Sequence, residues 1–219
     1  MSLGRILAVA VLVTSLACSK PTSSPAAVHA PTSKPSRYFP LALGNSWTYD
    51  VTIQTRSLPA AIRMNVTDVD NSASAQGGTT YVLSILDTSL APEDRPDEPV
   101  LYQVREGLGL YCVKCEGYIL REPLVLSNRW PAGIAEGTDG TYRITDTTRT
   151  VRTPISTWNG CLTVEKTETT FDRRILTVYC LDVGPTLVRY FAVAADSPLQ
   201  REETLVRYTI RDTVPSRGN

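Results

Sequence analysis

Four cysteines in the later part of this 219-residue chain, Cys112, Cys115, Cys161 and Cys180, are the side chains best suited to covalent chemistry. In an oxidising compartment an even set reads first as disulfides, with three connectivities open. Cys161 and Cys180 would face each other across a hairpin turning between Thr170 and Phe171. That bridge closes a loop of about twenty residues, worth ~3 kcal/mol in the chain-entropy model. The same register sets Glu165 opposite Leu176, an unlike pair, and a one-residue slip would put the two thiols on opposite faces. Cys112-Val113-Lys114-Cys115 could close on itself or pair outward with the hairpin. A redox C-x-x-C wants a strand-to-helix junction, where a helix N-terminus lowers a thiol pKa. Here the flanks, Gly109-Leu110-Tyr111 and Glu116-Gly117-Tyr118, read as strand and turn. Zinc would want the second pair at C-x-x-C spacing as well.

The single histidine, His29, precedes the expected folded part. Ser-His-Asp and Cys-His catalysis therefore have no histidine there, nor does an H-E-x-x-H zinc site. Lysine occurs in the folded part only as Lys114 and Lys166, and no S-x-x-K, G-x-S-x-G, P-loop or dinucleotide fingerprint is present. No catalytic residue, metal-ligand set or cofactor is expected. The acidic stretch from Ala91 to Pro99 carries carboxylates that suit hard cations, but its three prolines and irregular spacing favour a solvated loop. Asp68, Asp70, Ser72 and Ser74 alternate like a calcium loop yet lack the glycine at the sixth position and the glutamate at the twelfth. A carboxylate pair for glycoside hydrolysis leaves no sequence spacing, because three dimensions set it.

The elements that must position these groups are strands. Trp47 to Gln54 alternates apolar and polar residues, as do Ile62 to Thr67. Asp68 to Gly78 reads as a turn-rich connection. Tyr81 to Leu86, Val100 to Arg105, Gly109 to Val113 and Tyr142 to Val151 continue the pattern, followed by Leu162 to Thr169, Arg174 to Leu181, Leu187 to Val193 and Thr204 to Ile210. Thr, Val and Tyr dominate these runs, and no amphipathic helix longer than two turns follows the first residues. About ten antiparallel strands predict an all-β domain over 37–211, folded as a curved sheet, a sandwich or a partly closed barrel. A flexible tail, 212–219, ends the chain.

An internal echo suggests two related halves, 37–120 and 121–211. Pro40-Leu41-Ala42-Leu43-Gly44-Asn45-Ser46-Trp47 recurs as Pro123-Leu124-Val125-Leu126-Ser127-Asn128-Arg129-Trp130, each copy a turn that ends on a tryptophan opening a strand. The first copy lies in Tyr38-Phe39-Pro40-Leu41-Ala42-Leu43-Gly44-Asn45-Ser46-Trp47-Thr48-Tyr49. This segment resembles the YFPL-x-x-GN-x-W-x-Y opening of uncharacterised bacterial exported proteins and lipoproteins, some labelled TapB-like. Such proteins also carry a second P-L…W segment, a T-P-x-x-T-x-x-x-C turn (here Thr153 to Cys161) and a V-G-L-V segment (here Val183 to Val188, with an insertion). The resemblance implies a β-rich exported domain and supplies neither an activity nor catalytic residues.

Arg5 precedes an apolar run, Ile6 to Val13, and then Thr14-Ser15-Leu16-Ala17-Cys18. A positive start, a short apolar core and small residues at a cut site make an export signal over 1–17. A cysteine directly after the small residue resembles the lipobox of bacterial lipoproteins, with Leu16 one position nearer Cys18 than usual. That implies cleavage before Cys18 and its acylation, and stable anchoring needs more than one acyl chain. Ordinary secretion, with a cut after Ala17 or Ala30, is the alternative. Ser19 stands where a retention Asp would hold a lipoprotein at the inner membrane, which favours the outer membrane. Residues 18–36, rich in Ser, Pro, Ala and Thr without hydrophobic period, read as a disordered tether.

The 22 basic residues balance the 22 acidic ones, so net charge points to neither nucleic acid nor an acidic membrane surface. Membrane attachment would rest on the lipid at Cys18. The combined expectation is a non-enzymatic lipoprotein of the cell envelope. It would display a β-rich domain that binds an apolar ligand or scaffolds an envelope partner. The alternative is a carboxylate-dependent hydrolase acting on envelope glycans.

Overall fold

Alternation does most of the work in this chain. Along β1 (Ser46–Ile53) Trp47, Tyr49 and Val51 are buried while Asp50 is exposed, as a half-buried strand requires. The computed structural model describes residues 34–71, 78–133, 140–194 and 197–211. The signal segment, Cys18, His29, the tether up to residue 33 and the tail from 212 lie outside the described residues. So do Ser72 and Ser74.

The remaining strands are β2 (Arg56–Asp70), β3 (Gly78–Asp87), β4 (Val100–Arg105), β5 (Gly109–Cys112), β6 (Gly117–Arg121), β7 (Arg129–Pro131), β8 (Gly140–Arg152), β9 (Thr157–Glu168), β10 (Arg173–Cys180), β11 (Gly184–Ala192) and β12 (Leu199–Thr209). They form one antiparallel sheet in the order β6-β5-β4-β3-β2-β1-β12-β11-β10-β9-β8-β7. Each strand pairs with its sequence neighbour except β6 and β7, which are the two edges, and β1 pairs with β12 to join the two ends of the described chain. The result is a nearly closed, barrel-like sheet. Beyond the ten expected strands it has β6 and β7, which are short and buried irregularly enough to escape a period-2 reading. Asp68 to Asp70 belong to β2, not to a turn: a bulge between Val66 and Asp68 resets the phase and leaves both aspartates on the exposed side.

The seam between β6 and β7 is tight. The Trp130 indole of β7 donates to the Tyr118 carbonyl of β6 at 2.7 Å. Just beyond β7, a Cβ added to Gly133 would meet the Cys115 carbonyl oxygen at 1.5 Å, so only glycine lets the two backbones approach this closely.

One end of the barrel is plugged by the segment before β1. Helix α1 (Pro35–Tyr38) has proline in its first turn and ends where Phe39 turns inward. The Phe39 ring lies 5.1 Å from Trp47 of β1, 5.8 Å from Tyr102 of β4 and 6.4 Å from Tyr179 of β10, touching both halves of the sheet. Arg37 pairs with Asp182 outside, and the Asp182 amide donates to the Arg37 carbonyl at 2.7 Å.

Both disulfides are local to their hairpins: Cys112 joins Cys115, and Cys161 joins Cys180 with Cα atoms 4.4 Å apart. The β9–β10 register sets Leu176 opposite Glu165 and Tyr179 opposite Leu162, which continues to Cys180 opposite Cys161. The unlike Glu165–Leu176 pair is relieved diagonally, since Glu165 reaches Arg174 at 3.9 Å.

The echo in the sequence is an echo in space. Asn45 and Asn128 each donate their side-chain amide to the proline carbonyl five residues back, at 2.6 and 2.8 Å. Gly44 and Ser127 both take positive φ, +81° and +68°. Each gives its amide to a buried β-branched residue of the next strand, Val66 or Ile144, whose own amide returns to the asparagine carbonyl.

Candidate functional site

Residues directly opposed in antiparallel strands point to the same face. The register therefore traces the inner face around the barrel row by row. One row runs Val51, Glu203, Val188, Thr177, Val164 and Ile144 across β1, β12, β11, β10, β9 and β8. The next row, farther from Phe39, runs Ile53, Arg201, Tyr190, Ile175, Lys166, Tyr142 and Trp130. Beyond it Arg173 opposes Glu168. The barrel interior thus changes from apolar at the Phe39 end to ionic at the other, which we call the mouth.

A cavity of about 240 Å³ lies between the plug and the mouth. Ile62, Met64, Ile119, Ile175 and Val188 wall it together with Phe39 and five tyrosines, and Lys166 and Glu203 are its charged residues. Tyr49 is held by a hydrogen bond from its hydroxyl to the Pro185 carbonyl, 2.9 Å. Burial pushes the Tyr102 hydroxyl up to about 12, and Tyr142 rises further, mainly from burial with smaller contributions from Tyr102 and Glu168. These phenols stay neutral donors at physiological pH. A larger recess, about 720 Å³, lies outside the barrel beside α1 between Arg37, Asp182 and Arg211, but it lacks such convergent apolar walls.

Six inward charges form two linked clusters at the mouth. Glu168, 2% exposed, accepts from Lys166 through Oε1 and from Arg173 through Oε2, the latter with Nε at 2.8 Å. Arg201 gives Nε to Glu203 at 2.8 Å, Nη1 to the Ser89 hydroxyl at 2.9 Å and Nη2 to Asp87 at 2.7 Å. The Tyr190 ring lies between the clusters, 5.7 Å from the Arg173 guanidinium and 5.5 Å from that of Arg201, and its hydroxyl bonds to Glu203. Burial pushes the Glu168 carboxyl up, but Lys166 and Arg173 outweigh it and hold the group below its usual range. Asp87 is likewise lowered, as Ser89 and Arg201 overcome burial. At Glu203 burial wins over Arg201 and Tyr190, and the carboxyl is raised.

The residues singled out from sequence lie elsewhere. None of Cys112, Cys115, Cys161 and Cys180 lines the cavity. The acidic loop forms a 3₁₀ turn at Pro92–Asp94, and its Glu98 meets Lys114 at 3.2 Å in an exposed pair. Among the described residues no three His, Cys, Asp or Glu side chains converge as a metal-ligand set. The mouth charges did carry a signal: Lys166 and Glu168 are in phase with Leu162 and Val164, and Arg201 and Glu203 with Leu205. Inward phase for charges marks them, but β12 begins five residues before the expected Thr204, which left Arg201 and Glu203 outside any expected strand, and Asp87 and Arg173 lie one residue beyond theirs.

No family model matches the chain, and no curated protein matches it. Among solved structures it is similar to a candidate lipoprotein from Parabacteroides distasonis ATCC 8503, with a TM-score of 0.46 and 12% identity over 78% of this chain and 98% of that one. It is also similar to a candidate exported protein with YmcC-like fold from Bacteroides fragilis NCTC 9343, with a TM-score of 0.45 and 12% identity over 77% of this chain and 97% of that one.

Proposed function

We propose that this chain is an exported, non-enzymatic lipoprotein whose barrel holds a small, largely apolar ligand in its mouth. The observation that carries the reading is the 240 Å³ cavity, walled by aliphatic and aromatic side chains from strands all around the barrel and bordered by an ordered polar rim. The anchor in this reading is Cys18, acylated after cleavage behind Ala17, with the Pro/Ser-rich tether setting the domain clear of the outer membrane. Mass analysis of the mature N-terminus from a native host tests the anchor: an acylated cysteine is expected, and an unmodified Cys18 or a start at Pro31 sinks it. Ligand binding is tested by native mass spectrometry of the chain purified without detergent. A co-purifying apolar species is expected, and Ile175→Trp, which fills the cavity, should displace it.

One observation favours a second reading, a carboxylate-dependent hydrolase acting on envelope glycans. Asp87 and Glu203 share one guanidinium, which brings them within the span of roughly 10 Å that glycosidases use, and their pKa values are pushed in opposite directions. Against it, Arg201 stands between them and Asp87 does not line the cavity. Hydrolysis of peptidoglycan fragments that is abolished by Glu203→Gln would establish the hydrolase; its absence leaves the binding reading.

A further inference from the structure

We infer that the mouth selects an amphiphile of roughly ten non-hydrogen atoms in all, with one carboxylate head seated on the Lys166 ammonium and an apolar body behind it. This rests on the binding reading above and names its ligand class.

The head follows from the charges of the two clusters. On the β9–β10 wall two cations, Lys166 and Arg173, meet a single carboxylate, and Glu168 has one oxygen for each. The β12 wall has the opposite balance, but its carboxylates are already held. Glu203 accepts from Arg201 and Tyr190, and Asp87 accepts from Ser89 through Oδ1 and from Arg201 through Oδ2. Lys166 is the one cation of the six mouth charges that lines the cavity. An ammonium carries three N–H donors, of which Glu168 takes one. Its Nζ lies 5.6 Å from the Tyr142 ring centre, and it shares its row with Ile175, so a head on Lys166 leads its tail directly onto the apolar wall.

The size of the whole ligand follows from volume. An apolar cavity of ~150 Å³ accepts benzene, so by proportion about 240 Å³ takes roughly ten non-hydrogen atoms. Octanoate has that size.

Titration calorimetry of the purified full chain with octanoate, octanol and octylammonium chloride tests this. Octanoate should bind at least ~10-fold more tightly than octanol, as a hydrogen bond to a charged group warrants, with octylammonium weakest. Lys166→Met should erase the difference between octanoate and octanol, and Lys166→Arg should keep it. If Lys166→Met does not fold, the order of the three head groups on the unaltered chain decides. Equal affinity for octanoate and octanol, or a preference for octylammonium, overturns the carboxylate assignment and leaves apolar binding standing. No binding of any of the three overturns both.

Discussion

The turn before Trp47 and the turn before Trp130 are built alike, yet they open very different strands. Both have an asparagine bonded to the proline five residues back, a positive φ just before that asparagine, a buried first leucine and an exposed second one. Both tryptophans give their indole N–H to a backbone carbonyl, Val183 at 2.6 Å and Tyr118 at 2.7 Å. What differs is the surroundings. Trp47 stands in β1, paired on one side with β2 and on the other with β12, whereas Trp130 stands in the three-residue edge strand β7, paired with β8 alone. Asn45 is fully buried and its Oδ1 also accepts from the Arg211 amide at 2.8 Å, but Asn128 is half-buried with a second contact at 3.4 Å. One local motif thus serves as a keystone in the middle of the sheet and as a clasp at its seam. Local chemistry sets the form of the turn; the neighbouring strands set what it is worth.

That contrast can be broken or sharpened by mutation. Trp47→Ala should cost about 4 kcal/mol in denaturant unfolding, and Trp130→Ala about 3, because both rings are almost fully buried but β7 is held by one neighbouring strand where β1 is held by two. Equal costs would make the seam as central as the middle. Asn45→Ala should cost about 2 kcal/mol, since the fully buried Asn45 side chain serves both the Arg211 amide and the Pro40 carbonyl, against about 1 for Asn128→Ala.

The mouth carboxylates extend the comparison to pH. Glu203 lies on β12 opposite Val51, deep in the central pairing, where burial raises its carboxyl; Glu168 lies toward the β7 edge, where two cations lower it. A lowered carboxyl contributes stability that is present above its unfolded pKa and lost as pH falls through the folded value. A raised one acts oppositely, with stability falling as pH rises from the unfolded value through the folded one. Glu168→Gln should therefore cost about 2 kcal/mol at pH 7, fading on acidification, while Glu203→Gln should flatten the decline on the neutral side. Unfolding curves between roughly pH 3 and 8 of about equal slope for both variants would erase the distinction. The smallest effect is expected at the positive-φ residue of each turn. Gly44→Ala should destabilise by about 1 kcal/mol through its positive φ and a Cβ forced against the Arg211 guanidinium, while Ser127→Gly should change stability by a few tenths, measurable as a small shift in Tm.

How much was legible varies by element. The phase of Trp47, Tyr49 and Val51 announced β1, because a period of two survives wherever one face is buried. β7 was legible only through the echo, which marks Trp130 as opening a strand; three residues carry no period to set its length. The boundary of β12 was misplaced because Arg201, Glu202 and Glu203 are three consecutive charges, when Arg201 and Glu203 point inward, bond to each other and reach Asp87 of β3 through Arg201. The Cys161–Cys180 bridge was one of three open connectivities, and its register was visible because a hairpin's turn counts residues equally on both arms.

By itself the sequence determined an all-β chain, the two tryptophan turns and the hairpin that brings Cys161 to Cys180, since each depends on residues near one another along the backbone. Only the tertiary structure decided that β1 meets β12, that the seam falls between β6 and β7, and that Lys166, Glu168, Arg173, Arg201, Glu203 and Asp87 gather at one mouth around an apolar cavity. A charge in a strand acquires its meaning when the sheet curls and gives it an inside, and curling is a property of the whole sheet that no local stretch contains.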